Sequence, residues 1–95
     1  MAEPALKVET EFLRIAVEAL EMRFGPDTVS GLLSRGLYLT DLHNALACCE
    51  VRRSNKLEAD GTFFEVIGDT TEGITLNIKV WVSLDQRFYR IEEVS

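Results

Sequence analysis

The stretch ITLNIKVWVSL, residues 74–84, alternates apolar and polar side chains over its whole length. Successive side chains of a β-strand point to opposite faces, so a period of two predicts a strand with two chemically different faces. The apolar face carries Ile74, Leu76, Ile78, Val80, Val82 and Leu84. The polar face holds the only tryptophan, Trp81. The pattern therefore predicts an antiparallel sheet with one buried and one solvated face.

The period of two continues on both sides of this strand. Further strands are predicted near Val51–Leu57, Thr62–Ile67 and Phe88–Val94. Asp60-Gly61 is typical of a two-residue hairpin turn, and the other two connections are short enough for antiparallel neighbours. The second half of the chain is expected to form a four-stranded antiparallel meander.

The first half of the chain shows helical spacing. An amphipathic helix is predicted over Glu11–Arg23, with Thr10 as its cap and Gly25-Pro26 as its end. A short helix is predicted over Asp27–Ser34 and a third over Thr40–Glu50. The fold class is therefore α+β, with two to three N-terminal helices packed on the meander sheet. Residues 1–95 form one domain, in which residues 1–9 are expected to be a loose leader.

Composition restricts the class of partner. The formal net charge of -6 disfavours a grip on nucleic-acid phosphates and favours a partner protein with a basic surface, such as a nucleic-acid-binding one. The amino end lacks the apolar core of a signal peptide, and the sequence contains no apolar stretch long enough to span a membrane. The chain is expected to be cytoplasmic.

Few residues suggest catalysis. His43 could act as a general base, with Glu65 as a second proton carrier and Arg90 on a scissile phosphate, but a lone histidine on a helix flank is more often merely tolerated. Cys48 and Cys49 are interpreted as small hydrophobic residues of a protein in a reducing compartment, rather than as ligands of a metal site. The numerous carboxylates fit a solvated acidic surface, so neither a metal nor a cofactor is expected.

Trp81 is the strongest binding candidate. A tryptophan on the polar face of a strand needs a cover, which is either another part of the chain or a partner. Neighbouring strands could place further residues beside it, and the candidate binding set is Trp81, Lys79, Phe63, Tyr89, Arg52 and Arg53.

The segment SRGLYLTDL, residues 34–42, is followed by Asn44-Ala45-Leu46 and Glu50-Val51. This order resembles a short bacterial family of unknown function from mobile elements, loosely related to the RelE/ParE and BrnT toxins. FFEVIG at 63–68 and IKVWV at 78–82 would be its central strands. The resemblance covers roughly residues 11–94 and implies a helical front before a small antiparallel sheet, on a plasmid, phage or integrated element.

Two functions are consistent with these features. The first is a small non-catalytic interaction or inhibitor module, of the anti-CRISPR kind, that binds a protein through the face bearing Trp81. The alternative is a RelE- or BrnT-like endoribonuclease or a degenerate relative, with Arg52, Arg53, Lys56, Tyr89 and Arg90 on the phosphate and His43 or Glu65 moving a proton. A homodimer is also expected, buried through the helical side near the apolar run Leu37–Leu39.

Overall fold

A computed structural model describes residues 6–25, 28–58 and 61–95, with the backbone alone described at 55–58. Within these residues the chain forms three helices and five strands. The helices are α1 (Lys7–Ala19), α2 (Thr28–Ser34) and α3 (Leu39–Ala47). The strands are β1 (Glu21–Phe24), β2 (Glu50–Glu58), β3 (Gly61–Asp69), β4 (Thr75–Ser83) and β5 (Phe88–Val94).

All five strands belong to one sheet with the order β1-β5-β4-β3-β2. Strands β2 to β5 form the predicted antiparallel meander. Strand β1 adds to the edge of β5 in parallel. The α+β class is confirmed, whereas the prediction of a four-stranded antiparallel sheet is wrong because the sheet is five-stranded and mixed.

Strand β1 replaces the last turn of the helix predicted to reach Arg23. Helix α1 ends at Ala19, and Leu20 is already extended. In the four residues of β1, Met22 and Phe24 pack against the core, while the alternate residues Glu21 and Arg23 are exposed. Four residues are too few to distinguish a strand pattern from the helical spacing of the residues before them. The segment is extended because the edge of β5 supplies hydrogen-bond partners for its backbone.

Residues at the start of α1 occupy backbone hydrogen-bonding groups at the edge of β2. The helix begins at Lys7, so the prediction of a loose leader is wrong for residues 7–9, while residues 1–5 lie outside the described part. Thr10 is 7% exposed and does not cap the helix. Its hydroxyl accepts a 2.9 Å hydrogen bond from the Val51 N–H, and the Leu6 N–H donates to the Val51 carbonyl at 2.9 Å.

Helix α3 begins one residue earlier and ends three residues earlier than predicted. The Asp41 carboxylate accepts a 2.9 Å hydrogen bond from the Tyr38 N–H, which places the helix start at Leu39. Strand β2 already begins at Glu50, so the last predicted turn is lost. The predicted cap of α2, Asp27, lies outside the described residues.

The core lies between the helices and one face of the sheet. Leu13 and Val17 of α1, Leu32 of α2 and Leu42 of α3 join a single buried cluster. The sheet contributes the inward residues of its strands, namely Val51, Phe64, Val66, Leu76, Ile78, Val80, Val82, Tyr89 and Ile91. None of the described helices is long and apolar enough to cross a membrane.

Two glycines provide a matched test of this packing. A side chain on Gly68 would overlap the backbone carbonyl of Ala45, where α3 meets β3, whereas Gly31 in α2 has open space around it. We expect Gly68→Ala to lower the free energy of unfolding by about 1–3 kcal/mol, because α3 must move. Gly31→Ala should raise it by about 0.5–1 kcal/mol through helix propensity. Chemical denaturation measures both, and equal stability of Gly68→Ala and wild type would contradict the packing.

Candidate functional site: the open sheet face

The second face of the sheet is not covered by α1, α2 or α3. The buried helix residues pack on the core face, and Trp81 is not part of that cluster. We call this second face the open face. Strand register and alternation place on it, among others, Glu21, Arg23, Arg53, Phe63, Glu65, Ile67, Asn77, Lys79, Trp81, Phe88, Arg90 and Glu93.

Trp81 is buried on the open face by its own neighbours. It is 6% exposed. The guanidinium carbon of Arg90 lies 4.7 Å from the centre of the indole, and the ring of Phe88 lies 5.5 Å away. A side chain on Gly61 would overlap the indole, so the glycine lets the ring lie across β3. The cover that this tryptophan needs therefore comes from within the chain.

Cations lie on the other aromatic rings of the open face as well. Arg23 stacks on Phe88 at 4.0 Å, and the Lys79 ammonium lies 4.9 Å from the centre of the Phe63 ring. Such cation–π contacts are worth about 0.5–1 kcal/mol at exposed sites. They favour the stacked positions of these side chains on the open face.

Four charged residues form a line across the open face, which we call the charged row. Its members are Arg53 on β2, Glu65 on β3, Lys79 on β4 and Glu93 on β5, and each is paired in register with the next. The charge alternates in sign along the row. The Arg53 and Glu65 side chains approach within 3.8 Å, and both are more than half exposed.

Ion pairs neutralise the arginines of this region locally. Arg23 lies 3.1 Å from Glu21, and Arg52 lies 3.4 Å from Glu50. Arg90 donates a hydrogen bond to Glu92. A shallow cleft of about 350 Å³ beside the charged row is lined in part by Arg52, Glu65, Ile67, Asn77, Lys79 and Glu93, which mixes both signs of charge with an apolar wall. The excess negative charge of the chain therefore lies elsewhere.

The structure brings most of the predicted binding set together. Trp81, Lys79, Phe63 and Arg53 lie on the open face, and Arg52 lines its cleft. Two partners of Trp81 lie on β5 and were not predicted as such from the sequence. Phe88 is the aromatic neighbour of the indole, and the Arg90 guanidinium covers it. Strand β1 adds Arg23 to the same face. The sequence signal for them is the alternation of β5, whose register could not be assigned without the pairing.

Tyr89 was placed wrongly beside Trp81. It pairs with Val82 and points into the core, where it is 1% exposed. Its hydroxyl donates a hydrogen bond to the Val17 carbonyl at 3.4 Å, and burial raises the pKa of Tyr89 to about 12. A phenol held in this way contributes packing to the core and is out of reach of a partner.

The residues proposed for a nuclease lie on opposite sides of the molecule. His43 is an exposed residue of α3, and α3 packs on the core face through the contact of Ala45 with Gly68. Glu65 and Arg90 lie on the open face, with the sheet between them and His43. These three groups are therefore too far apart to act on one phosphate. The structure does not describe the Lys56 side chain.

The cysteines occupy different environments despite being adjacent. Cys49 is fully buried, and burial raises the pKa of its thiol to about 11. Cys48 is exposed, and its thiol lies 3.3 Å from the Asn44 carbonyl. Across residues 6–25, 28–58 and 61–95, histidine, cysteine and acidic side chains do not gather in any group of three that could hold a metal.

Comparison of the chain with protein-family models, with curated proteins and with solved structures finds no match in any of the three. The resemblance to the mobile-element family therefore stays a prediction. The geometry of the open face carries the functional argument on its own.

The shielding of Trp81 by Arg90 can be tested by fluorescence. In Arg90→Gln we expect a red-shifted tryptophan emission and stronger quenching by acrylamide, because the indole loses its guanidinium cover. The free energy of unfolding should fall by about 1 kcal/mol. Arg53→Gln removes an arginine of the same face away from the indole and is the control. An emission spectrum unchanged in Arg90→Gln would show that Arg90 does not shield Trp81.

Proposed function

We propose that this protein is a small non-catalytic interaction module that binds another protein through the open face. One observation carries the proposal: the described helices leave one face of the sheet uncovered, and cations stack on the aromatic residues of that face. A face left bare by the fold, with its side chains held in advance, is the arrangement expected of a binding surface.

The composition of the open face suits protein recognition. Aromatic residues and arginine are the types that contribute most to binding at protein interfaces, and here they alternate across adjacent strands. Phe63 and Phe88 would supply the aromatic contact, with Arg23 and with Arg90, which covers the buried Trp81, beside them. Because these side chains stack on each other before binding, little conformational entropy would be lost on association.

Charge supports a protein partner over nucleic acid. A protein that grips a phosphate backbone needs unpaired positive charge, whereas the arginines here lie beside carboxylates. The net charge of -6 would still attract a partner with a basic surface over long range, although the contact itself would be neutral overall. An inhibitor of a nucleic-acid-binding protein, carried by a phage or mobile element and acting in the cytoplasm, fits both properties.

No arrangement on the described surface favours the endoribonuclease alternative. His43, one of its two alternative proton carriers, lies across the sheet from Arg90, and Tyr89 is in the core. Glu65, the other carrier, is already paired with Arg53. We therefore propose binding alone.

A pair of truncations tests the proposal. Phe63→Ala removes a half-buried aromatic ring from the open face, and Ile15→Ala removes an exposed apolar side chain from the helical side. A partner purified from the host by affinity capture should bind Phe63→Ala at least about tenfold more weakly than wild type, and Ile15→Ala with unchanged affinity. Titration calorimetry gives the affinities, and thermal unfolding checks that both variants are folded. Loss of binding in Ile15→Ala alone would place the partner on the helices.

A further inference from the structure

The charged row has a symmetry that its cross-strand pairing does not require. Read from β2 to β5, the signs are plus, minus, plus, minus, at Arg53, Glu65, Lys79 and Glu93. Opposite charges on neighbouring strands stabilise a sheet, which explains the alternation within one chain. The same order also makes the row complementary to itself when it is reversed.

A second copy supplies the reversed row. Consider a two-fold axis that runs parallel to the strands, midway between β3 and β4, in the plane between two facing sheets. The rotation places Arg53 of one copy opposite Glu93 of the other, and Glu65 opposite Lys79. All four residues then meet an opposite charge, and the symmetry repeats each contact. An axis perpendicular to the strands would instead place each residue opposite itself.

Phe63 and Trp81 are also placed symmetrically about this axis. Phe63 on β3 and Trp81 on β4 are direct cross-strand partners, so they lie on either side of the axis at one height. The rotation therefore sets Phe63 of one copy against the Trp81 position of the other. Facing sheets pack about 10 Å apart, a distance that aromatic side chains fill.

The size of the face is compatible with a dimer. Strands β2 to β5, which overlap about this axis, contain nine, nine, nine and seven residues. With a rise of about 3.3 Å per residue and a strand spacing of about 4.8 Å, they span about 540 Å². A standard interface buries about 800 Å² on each partner. The open face is therefore large enough for a specific but weak self-association.

We infer that the open face binds a second copy of this chain, face to face, about a two-fold axis between β3 and β4. This inference rests on the proposed function, because it names an occupant for the same surface, and another partner would compete with self-association. It also moves the expected homodimer from the helical side to the sheet. Leu37 is buried in the core, although Leu33, Tyr38 and Leu39 remain exposed.

Two opposite charge reversals provide the test. Lys79→Glu places glutamates opposite each other in the dimer, and Glu65→Lys places lysines opposite each other. Each variant alone should sediment as the 10.7 kDa monomer at a concentration at which the wild-type protein is mostly dimeric. An equimolar mixture should recover the dimer, because each glutamate then faces a lysine. Sedimentation velocity measures all four samples.

The mixture separates contact between copies from stability within one copy. If the single variants and their mixture are all monomeric, the row acts only inside the sheet and the inference fails. If the single variants stay dimeric, the charged row is not in the interface and the inference fails. If the Leu39→Ser variant is monomeric where the wild-type protein is dimeric, the interface is on the helical side and the inference also fails. Should a variant unfold, Arg53→Glu and Glu93→Lys repeat the design at exposed positions.

The result is distinguishable from failure of the proposed function. Wild type that remains monomeric at high concentration overturns self-association. In that case a partner that still loses affinity for Phe63→Ala keeps the open face as a protein-binding surface.

Discussion

The structure depends on the packing of α1 and α3 against the apolar face of β2, β3 and β4. Ala45 of α3 meets Gly68 of β3 so closely that a methyl group would not fit between them. Within the described residues, the three helices cover one face of the sheet and not the other. Because side chains alternate along every strand, the choice of the covered face also determines which residues remain on the open face. The chemistry of the open face is thus a consequence of how the core is filled.

Much of this arrangement could be predicted from local pattern. The meander strands have clear alternation and end near the expected residues, because each strand has one face in the core. Strand β1 could not be predicted, since four residues are too few to show a period and only the edge of β5 makes them extended. Tyr89 was misplaced for a related reason: a shift of one residue in β5 exchanges its two faces. Trp81 was assigned to the correct face, but its cover by Arg90 and Phe88 depends on that register.

The edges of the sheet contrast with its open face. An edge strand offers unpaired backbone groups to any other chain, and this sheet limits them at both ends. At β2, Leu6 and Thr10 occupy the hydrogen-bonding groups of Val51, and two shifts of register interrupt the ladder. At the other end, β1 is only four residues long and carries Glu21 and Arg23. Addition of a further strand at either edge is therefore disfavoured.

The parallel pairing of β1 with β5 has a consequence for folding. These strands come from opposite ends of the chain, so their contact closes a loop that contains almost every other element. Contacts of such long sequence separation slow folding, because the entropy of closure is lost before the contacts form. During synthesis, helix α1 and the segment 21–24 must leave the ribosome long before their sheet partner exists. The meander can form from neighbouring strands, and the completion of the sheet by β1 is then the step expected to come last.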